Sequence, residues 1–201
     1  MPEKPFAEYA ARNAAPILEI LRREFSAASR VLEIGSGTGQ HACLFAERLG
    51  HLCWQTSDLD ENHAGIRAWI EAAGTDNVLP PLSMDVREAS VAAAAYDAVF
   101  SANTAHIMDT DAVRKMFLLV GRALRHDGIF CLYGPFRKDS RFNTPSNAAF
   151  DANLKARNPS MGIRDIEVLD DFAHAAGLRR VRFYAVPSNN NVAVWQRGDT
   201  S

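Results

Sequence analysis

Apolar positions along this chain fall into short continuous blocks, and the segments between the blocks carry helical spacing. Arg30–Ile34 (RVLEI), His51–Ser57 (HLCWQTS), Val78–Met84, Tyr96–Ala102 (YDAVFSA) and Ile129–Tyr133 (IFCLY) read as strands. Pro80 and Pro81 weaken the third of these. Between them, Gln40–Leu49 reads as a helix whose apolar face is Leu44, Phe45, Ala46 and Leu49. Glu61–Ala73 is a second such helix, stopped by Gly74, and Asp111–Leu124 is an amphipathic helix closed by HDG. Phe6–Phe25 is helical with an interruption near Pro16, a residue suited to the first turn of a new helix, where its missing N–H costs nothing. After the fifth strand comes a polar stretch, Arg137–Arg164, with a short helix over Ala148–Ala156. Ile166–Ala176 is helical and ends at Gly177, and Val181–Val186 pairs with Val192–Gln196 as a hairpin across PSNNN.

Strands that alternate with helices predict an α/β fold: a doubly wound, mainly parallel seven-stranded sheet with helices on both faces. The closing hairpin contributes one antiparallel strand near the C-terminus. In such a sheet the ligand sits beyond the carboxyl ends of the strands. The 201 residues suit a single domain, 1–201, with an N-terminal helical cover over about residues 5–26 and an insert over about residues 137–165.

Composition narrows the class. Hydrophobic residues make up 47% and charged residues 23%, as in ordinary water-soluble domains. A net charge of -2 and a pI near 6.3 argue against a duplex nucleic-acid partner, which needs a basic excess. The three cysteines, Cys43, Cys53 and Cys131, are an odd set without a close pair, so a reducing, cytoplasmic location is expected. The opening segment MPEKPFAEYAARNAAPIL carries charges inside its apolar part and lacks the core of a signal peptide. No apolar run approaches the roughly 18 residues of a membrane span. A homodimer is compatible with these features.

The chemistry concentrates at VLEIGSGTGQH, Val31–His41. An apolar strand delivers a glycine-rich turn straight into a helix. Glycines accept positive φ and let a ligand approach the backbone, and the helix start offers free N–H groups. The dinucleotide fingerprint G-x-G-x-x-G would put its third glycine at position 40, which is Gln40. The spacing here is G-x-G-x-G after Glu33. This resembles motif I of class I S-adenosylmethionine-dependent methyltransferases, matched at Glu33, Gly35, Gly37 and Gly39, with Ser36 and His41 in the same turn. The resemblance implies that the loop lies against the methionine part and ribose of the cofactor, and that the acid contacts its amino group. Asp58 ends the second strand, where an acid can accept from both ribose hydroxyls; it can instead cap the next helix. Asp85 ends the third strand beside Met84. The superfamily places an acid there for the adenine amino group; a helix cap is again the alternative.

The strings RNAAPIL, VLEIGSGTGQHA, WQTSDLDEN, YGPF, PSNAAFD, GIRD and PSNNNV, spanning Arg12 to Trp195, resemble an uncharacterised methyltransferase-like family, a domain of unknown function. The resemblance implies the class I methyltransferase fold, with S-adenosyl-L-methionine as ligand and S-adenosyl-L-homocysteine as product. It implies no substrate.

Methyl transfer from a sulfonium needs alignment of the acceptor and exclusion of water, with a base only where the acceptor carries a proton. Asn103 and His106 follow the fourth strand, on the lip expected to face the sulfonium. Asn103 would hydrogen-bond acceptor or cofactor, and His106 would act as base; a turn residue and a surface histidine are the alternatives. Tyr133 and Phe136 end the fifth strand and would wall the acceptor site or pack in the core. The insert carries Arg137, Lys138, Arg141, Arg157 and Arg164, which would recognise a carboxylate or phosphate or simply form a solvated surface. Arg12 and Asn13 would meet the cofactor carboxylate or the acceptor, and Asn190 is a pocket or turn residue. His41 and Cys43 lie two apart on a helix and point in different directions, so no metal site is expected from the His-x-Cys pairs.

The expected function is therefore O- or N-methylation of a small, polar or anionic acceptor. The N/D-P-P-Y and Pro-Cys signatures of nucleobase methyltransferases are absent from the sequence, as is the Tyr-x-x-x-Lys pair of short-chain oxidoreductases. A non-catalytic S-adenosylmethionine-binding protein needs the same pocket and stays open, as does a methyltransferase acting on RNA or protein through the basic insert.

Overall fold

The chain alternates strand and helix as the apolar pattern requires. The computed structural model describes residues 4–198; the outermost residues of the expected domain, 1–3 and 199–201, lie outside the described residues. The elements are α1 (Glu8–Glu24), β1 (Arg30–Glu33), α2 (Gln40–Arg48), β2 (Cys53–Asp58), α3 (His63–Ala73), β3 (Val78–Ser83), β4 (Tyr96–Ala102), α4 (Thr110–Ala123), β5 (Leu124–Gly134), β6 (Phe136–Arg137), α5 (Pro145–Arg157), β7 (Arg164–Asp165), α6 (Ile166–Ala175), β8 (Leu178–Val186) and β9 (Asn190–Arg197). Seven strands form one sheet in the order β3-β2-β1-β4-β5-β9-β8. All neighbours are parallel except β9, which runs antiparallel to both β5 and β8. This is the class I methyltransferase arrangement.

The central strands are buried on both faces, which is why they read as unbroken apolar runs. Their side chains alternate between two cores. Val31, Ala98, Phe100, Cys131 and Val194 pack with Ile17, Leu21, Phe45 and Trp54 on one face, under α1 and α2. Leu32, Val99, Phe130, Leu132 and Trp195 pack on the other with Phe117, Val120 and Leu169, under α4 and α6. Pro80 and Pro81 are tolerated because β3 is an edge strand and has a hydrogen-bonded neighbour on one side only.

Two expectations change. α1 is continuous through Pro16. Buried Ala10 and Ala14 before the proline and Ile17, Ile20 and Leu21 after it belong to one packed stripe, and this outweighs the loss of one hydrogen bond at the carbonyl of Arg12, four residues back. The insert also carries more structure than the short helix expected over Ala148–Ala156. β6 and β7 pair to close its base, Phe136 with Arg164 and Arg137 with Asp165. The thirteen-residue helix α5 fills its middle, capped by Thr144, whose Oγ1 accepts from Asn147 N. The three cysteines are free thiols, and no helix among the described residues is long and apolar enough to cross a membrane.

Gly121 marks the contact of α4 with α6. A Cβ there would lie 2.2 Å from the carbonyl oxygen of Ala176. Gly→Ala in a helix interior ordinarily stabilises by about 1 kcal/mol, but this overlap reverses the sign, because backbone must move. Gly121→Ala should destabilise the fold by about 1–3 kcal/mol in urea unfolding; a neutral or stabilising result would show that the two helices are not packed this closely.

Candidate active site

β1 ends in a turn that is bonded to the end of its neighbour. Gly35 N–H and Ser36 N–H both donate to the carbonyl of Ser57, at 3.0 and 2.9 Å. Gly37 N–H donates to Asp58 Oδ2 at 2.6 Å, and Asp58 Oδ1 accepts from Leu59 N–H at 2.7 Å and Asn62 Nδ2 at 2.8 Å. Asp58 thus both shapes the loop and receives donors from the turn that follows it. The glycines divide the work. A Cβ on Gly37, at φ +58, would meet nothing within 4 Å, so the loop opens there onto free space. A Cβ on Gly39, at φ +89, would press on Ile66 Cα at 3.0 Å, so that glycine serves the approach of α2 to α3.

The free space is a cavity of about 420 Å³, within the range of small-molecule sites. Gly35, Ser36, Gly37, His41, Asp58, Met84, Asp85 and Asn103 all line it. Glu33 and Gly39 do not. Glu33 lies buried behind the loop, where its Oε2 accepts from Ser36 Oγ at 2.9 Å and Trp54 Nε1 at 3.1 Å. Burial pushes its carboxyl up to about 7 in spite of these two donors, and the nearby Asp58 charge adds to the rise. Met84 is buried, with its sulfur taking the Ser57 hydroxyl at 3.3 Å. Asp85 is partly exposed and accepts from Arg87 N–H at 2.9 Å, so it caps its own turn while facing the cavity. Arg87 also bridges to Asp109 at 2.8 Å.

Two residues after the loop hold the N-terminal helix over this cavity. Gln40 Oε1 accepts from Ala7 N–H at 2.5 Å. His41 Nε2 lies 3.1 Å from the carbonyl of Ala10 and 2.7 Å from Asn13 Oδ1. Both are acceptors, so Nε2 carries the proton. Burial pushes the His41 pKa down to about 4, which keeps the ring neutral. Burial raises the Tyr133 pKa, and the side chains of Asn13 and Asn190 beside its hydroxyl oppose the rise.

A second cavity of about 720 Å³ adjoins the first, and Tyr9, Asn103 and Ile107 line both. Asn103 takes φ +60, a conformation that asparagine tolerates better than most residues, and its N–H donates to the carbonyl of Tyr133 at 2.9 Å. His106 lines the second cavity with its ring edge-on to Phe150, centroids 5.3 Å apart. Its ring nitrogens have no hydrogen-bond partner among the described residues. Burial, with the Arg164 charge second, pushes its pKa down to about 4. The insert grips the loop that carries it. Gly162 N–H donates to the carbonyl of His106 at 2.9 Å, and the Arg164 guanidinium donates to the carbonyls of Ala105 and Met108 and to Thr110 Oγ1.

Of the residues expected to meet the acceptor, Arg12, Asn13, Tyr133 and Asn190 line this second cavity. Phe136 and Arg137 are not brought to it. Phe136 is buried in the core against Phe183, 6.1 Å between centroids, and the Arg137 guanidinium is paired with Asp165 at 2.5 Å. Arg157, named among the basic residues of the insert, lines the second cavity as well; residues that sequence reasoning passed over are Tyr9 and Ile107 on the shared wall, and Asn147, Phe150 and Leu154 on α5. A signal existed: Tyr9, Asn13 and Pro16, like Asn147, Phe150, Leu154 and Arg157, recur at three- and four-residue spacing, which places each set on one helix face.

A family model described as "Protein of unknown function (DUF938)" matches residues 4–197. The fold is similar to that of the S-adenosylmethionine-dependent methyltransferase SibL in its apo form, with 21% identity and a TM-score of 0.79 over 96% of this chain and 57% of that one. It is similar to an O-methyltransferase family protein from Burkholderia thailandensis, with 17% identity and a TM-score of 0.80 over 96% and 59%. It is also similar to human N-acetylserotonin methyltransferase in complex with SAM, with 12% identity and a TM-score of 0.82 over 96% and 53%. The chain spans little more than half the length of these proteins.

The buried titratable groups predict a pH dependence. His41 and His106 have pKa values of about 4 when folded against 6.5 as free groups, so the unfolded chain binds more protons in that window and stability falls as pH drops through it. Glu33, at about 7 against 4.5, binds its proton earlier in the folded state and acts in the opposite sense. Each group is worth on the order of 3 kcal/mol, so two histidines outweigh one glutamate and the wild type should lose stability between about pH 6.5 and 4.5. His106→Gln should flatten this loss and Glu33→Gln should steepen it, read as urea midpoints across the window. An unchanged slope in His106→Gln would remove His106 from the buried neutral set.

Proposed function

The chain belongs to the DUF938 family, and we propose that it is an S-adenosylmethionine-dependent methyltransferase that O- or N-methylates a small molecule. The observation that carries this reading is the pair of cavities joined at Tyr9, Asn103 and Ile107. One has the glycine loop and two strand-end acids; the other has an unpartnered histidine. The residues of the first fit the cofactor. The missing Cβ of Gly37 leaves room against the loop, Asp58 would accept from the ribose hydroxyls, Asp85 would accept from the adenine amino group, and Met84 would supply apolar surface. Glu33 and Gly39 would act from behind, by holding the loop and seating α2.

When bound, S-adenosylmethionine supplies a methyl group activated on a sulfonium. The task left to the protein is to aim an acceptor atom along the line of displacement and to keep water out. Asn103 sits where the cavities meet and would orient the acceptor. α1, held by Gln40 and His41, would close the site from above. His106, neutral and free of protein partners, would take the proton of an acceptor hydroxyl or amine. An imidazole of low basicity suffices, because the acceptor proton becomes strongly acidic as the new bond to carbon forms. A cytosolic setting fits the three free thiols.

The first test is calorimetric titration of ligand-free protein with S-adenosylmethionine, S-adenosylhomocysteine and NAD. Micromolar binding of the first two without NAD is expected, and Asp58→Ala should weaken it about 10-fold or more, through loss of charge-assisted hydrogen bonds. Binding of NAD instead, or of none, would overturn the cofactor assignment. His106→Gln should leave cofactor affinity intact and lower turnover about 10²-fold. Tight cofactor binding with no transfer across an acceptor screen would mark a non-catalytic binding protein.

A further inference from the structure

We propose that the acceptor is anionic and ring-bearing: a small molecule whose apolar body lies against Phe150 while a carboxylate or phosphate group is held by Arg12 and Arg157. The inference rests on the methyltransferase reading and deepens it. It begins with how charge is divided between the two cavities. The first is lined by Asp58, Glu61 and Asp85, and the guanidinium in its wall, Arg87, is already paired with Asp85 and Asp109. That lining suits a cation. Among the described residues, the second has no aspartate or glutamate in its wall, and two guanidiniums. Its remaining polar groups, asparagines, serines, tyrosine hydroxyls and the neutral His106, add no charge. A positive wall without counter-charge favours an anion.

The basic residues of the insert do not contribute equally. Arg137 is paired with Asp165 and Lys155 with Asp151, and Arg164 is committed to backbone carbonyls. Arg157 has no ion-pair partner among the described residues and lines the cavity from the last turn of α5. Arg12 reaches the cavity from α1. Its contact with Glu8, 3.5 Å long between two well-exposed side chains, is weak enough for a bound anion to replace. Guanidinium groups suit carboxylate and phosphate oxygens alike.

The apolar part of the wall argues for the ring. Phe150 remains 38% exposed and Ile107 50%, both facing the cavity. Pro16, Pro135 and Pro187 complete a rigid surface. A flat body placed there would cover this surface and leave its reacting atom near His106 and Asn103. A concave site of about 720 Å³ with two cations suits a small anion better than a polymer, which needs an extended basic track.

The test uses the full chain saturated with S-adenosylhomocysteine and titrated with benzoate, phenyl phosphate, benzamide and a single-stranded RNA oligomer. Benzoate or phenyl phosphate should bind about 10-fold more tightly than benzamide, and the tighter of the two identifies carboxylate or phosphate as the recognised group. Arg157→Gln and Arg12→Gln should each remove most of that preference and leave S-adenosylhomocysteine affinity unchanged. Equal binding of benzamide, no binding of any probe, or tighter binding of the RNA oligomer would overturn the proposal. So would an Arg157→Gln protein that melts earlier yet keeps its preference, because Arg157 would then serve only its helix end. If S-adenosylhomocysteine itself fails to bind, the functional reading falls and this inference with it; if it binds and no anion preference exists, this inference alone falls.

Discussion

The bond from Gly37 N–H to the carboxylate of Asp58 is the constraint around which the site is organised. It ties the turn after β1 to the end of β2, and the Ser57 carbonyl reinforces the tie by accepting from Gly35 and Ser36. A glycine loop in isolation is the most flexible part of a chain. Here a buried carboxylate and a strand-end carbonyl consume its N–H groups, and Glu33 holds Ser36 from behind. The loop is thereby preorganised, with the open side of Gly37 toward the cavity. Asp58 remains an acceptor at the cavity wall because a carboxylate has lone pairs left after three donors.

From that loop the order passes outward to the second cavity through a short polar chain. His41 donates to Asn13, and Asn13 and Asn190 both lie beside the Tyr133 hydroxyl. The chain joins α2, α1, β5 and the β8–β9 hairpin, four elements far apart in sequence. Its groups are largely withdrawn from water, so each broken link would strand a polar atom. The position of α1 over the site therefore follows from the same network that lines the acceptor cavity.

The insert acts as a support for the β4–α4 loop. Gly162 and Arg164 bind that loop through its carbonyls, and β6–β7 pairing fixes where the insert starts and ends. His106 owes its place to contacts made by residues more than fifty positions away. Its low pKa has the same origin, since the insert buries it and Arg164 brings a charge close. Three of the basic residues that mark the insert in the sequence, Arg137, Lys155 and Arg164, are spent on internal contacts.

The sheet, the strand–turn–helix and the acids at the ends of β2 and β3 were legible in the sequence, because each depends on contiguous residues. Two-sided burial writes itself as apolar runs, positive φ as glycine, and a closing hairpin as PSNNN between two strands. The helix within the insert was legible too, though shorter than the one observed. Three things were decided only by tertiary structure. Pro16 stays inside α1 because packing on both sides of it outweighs one lost hydrogen bond. Phe136 and Arg137 turn away from the cavities because their partners, Phe183 and Asp165, arrive from distant elements. Tyr9, Phe150 and Arg157 reach the cavities because α1 and α5 are docked with those faces inward. Spacing along a helix says which residues share a face, but which way that face points is set by long-range contacts that no local pattern encodes.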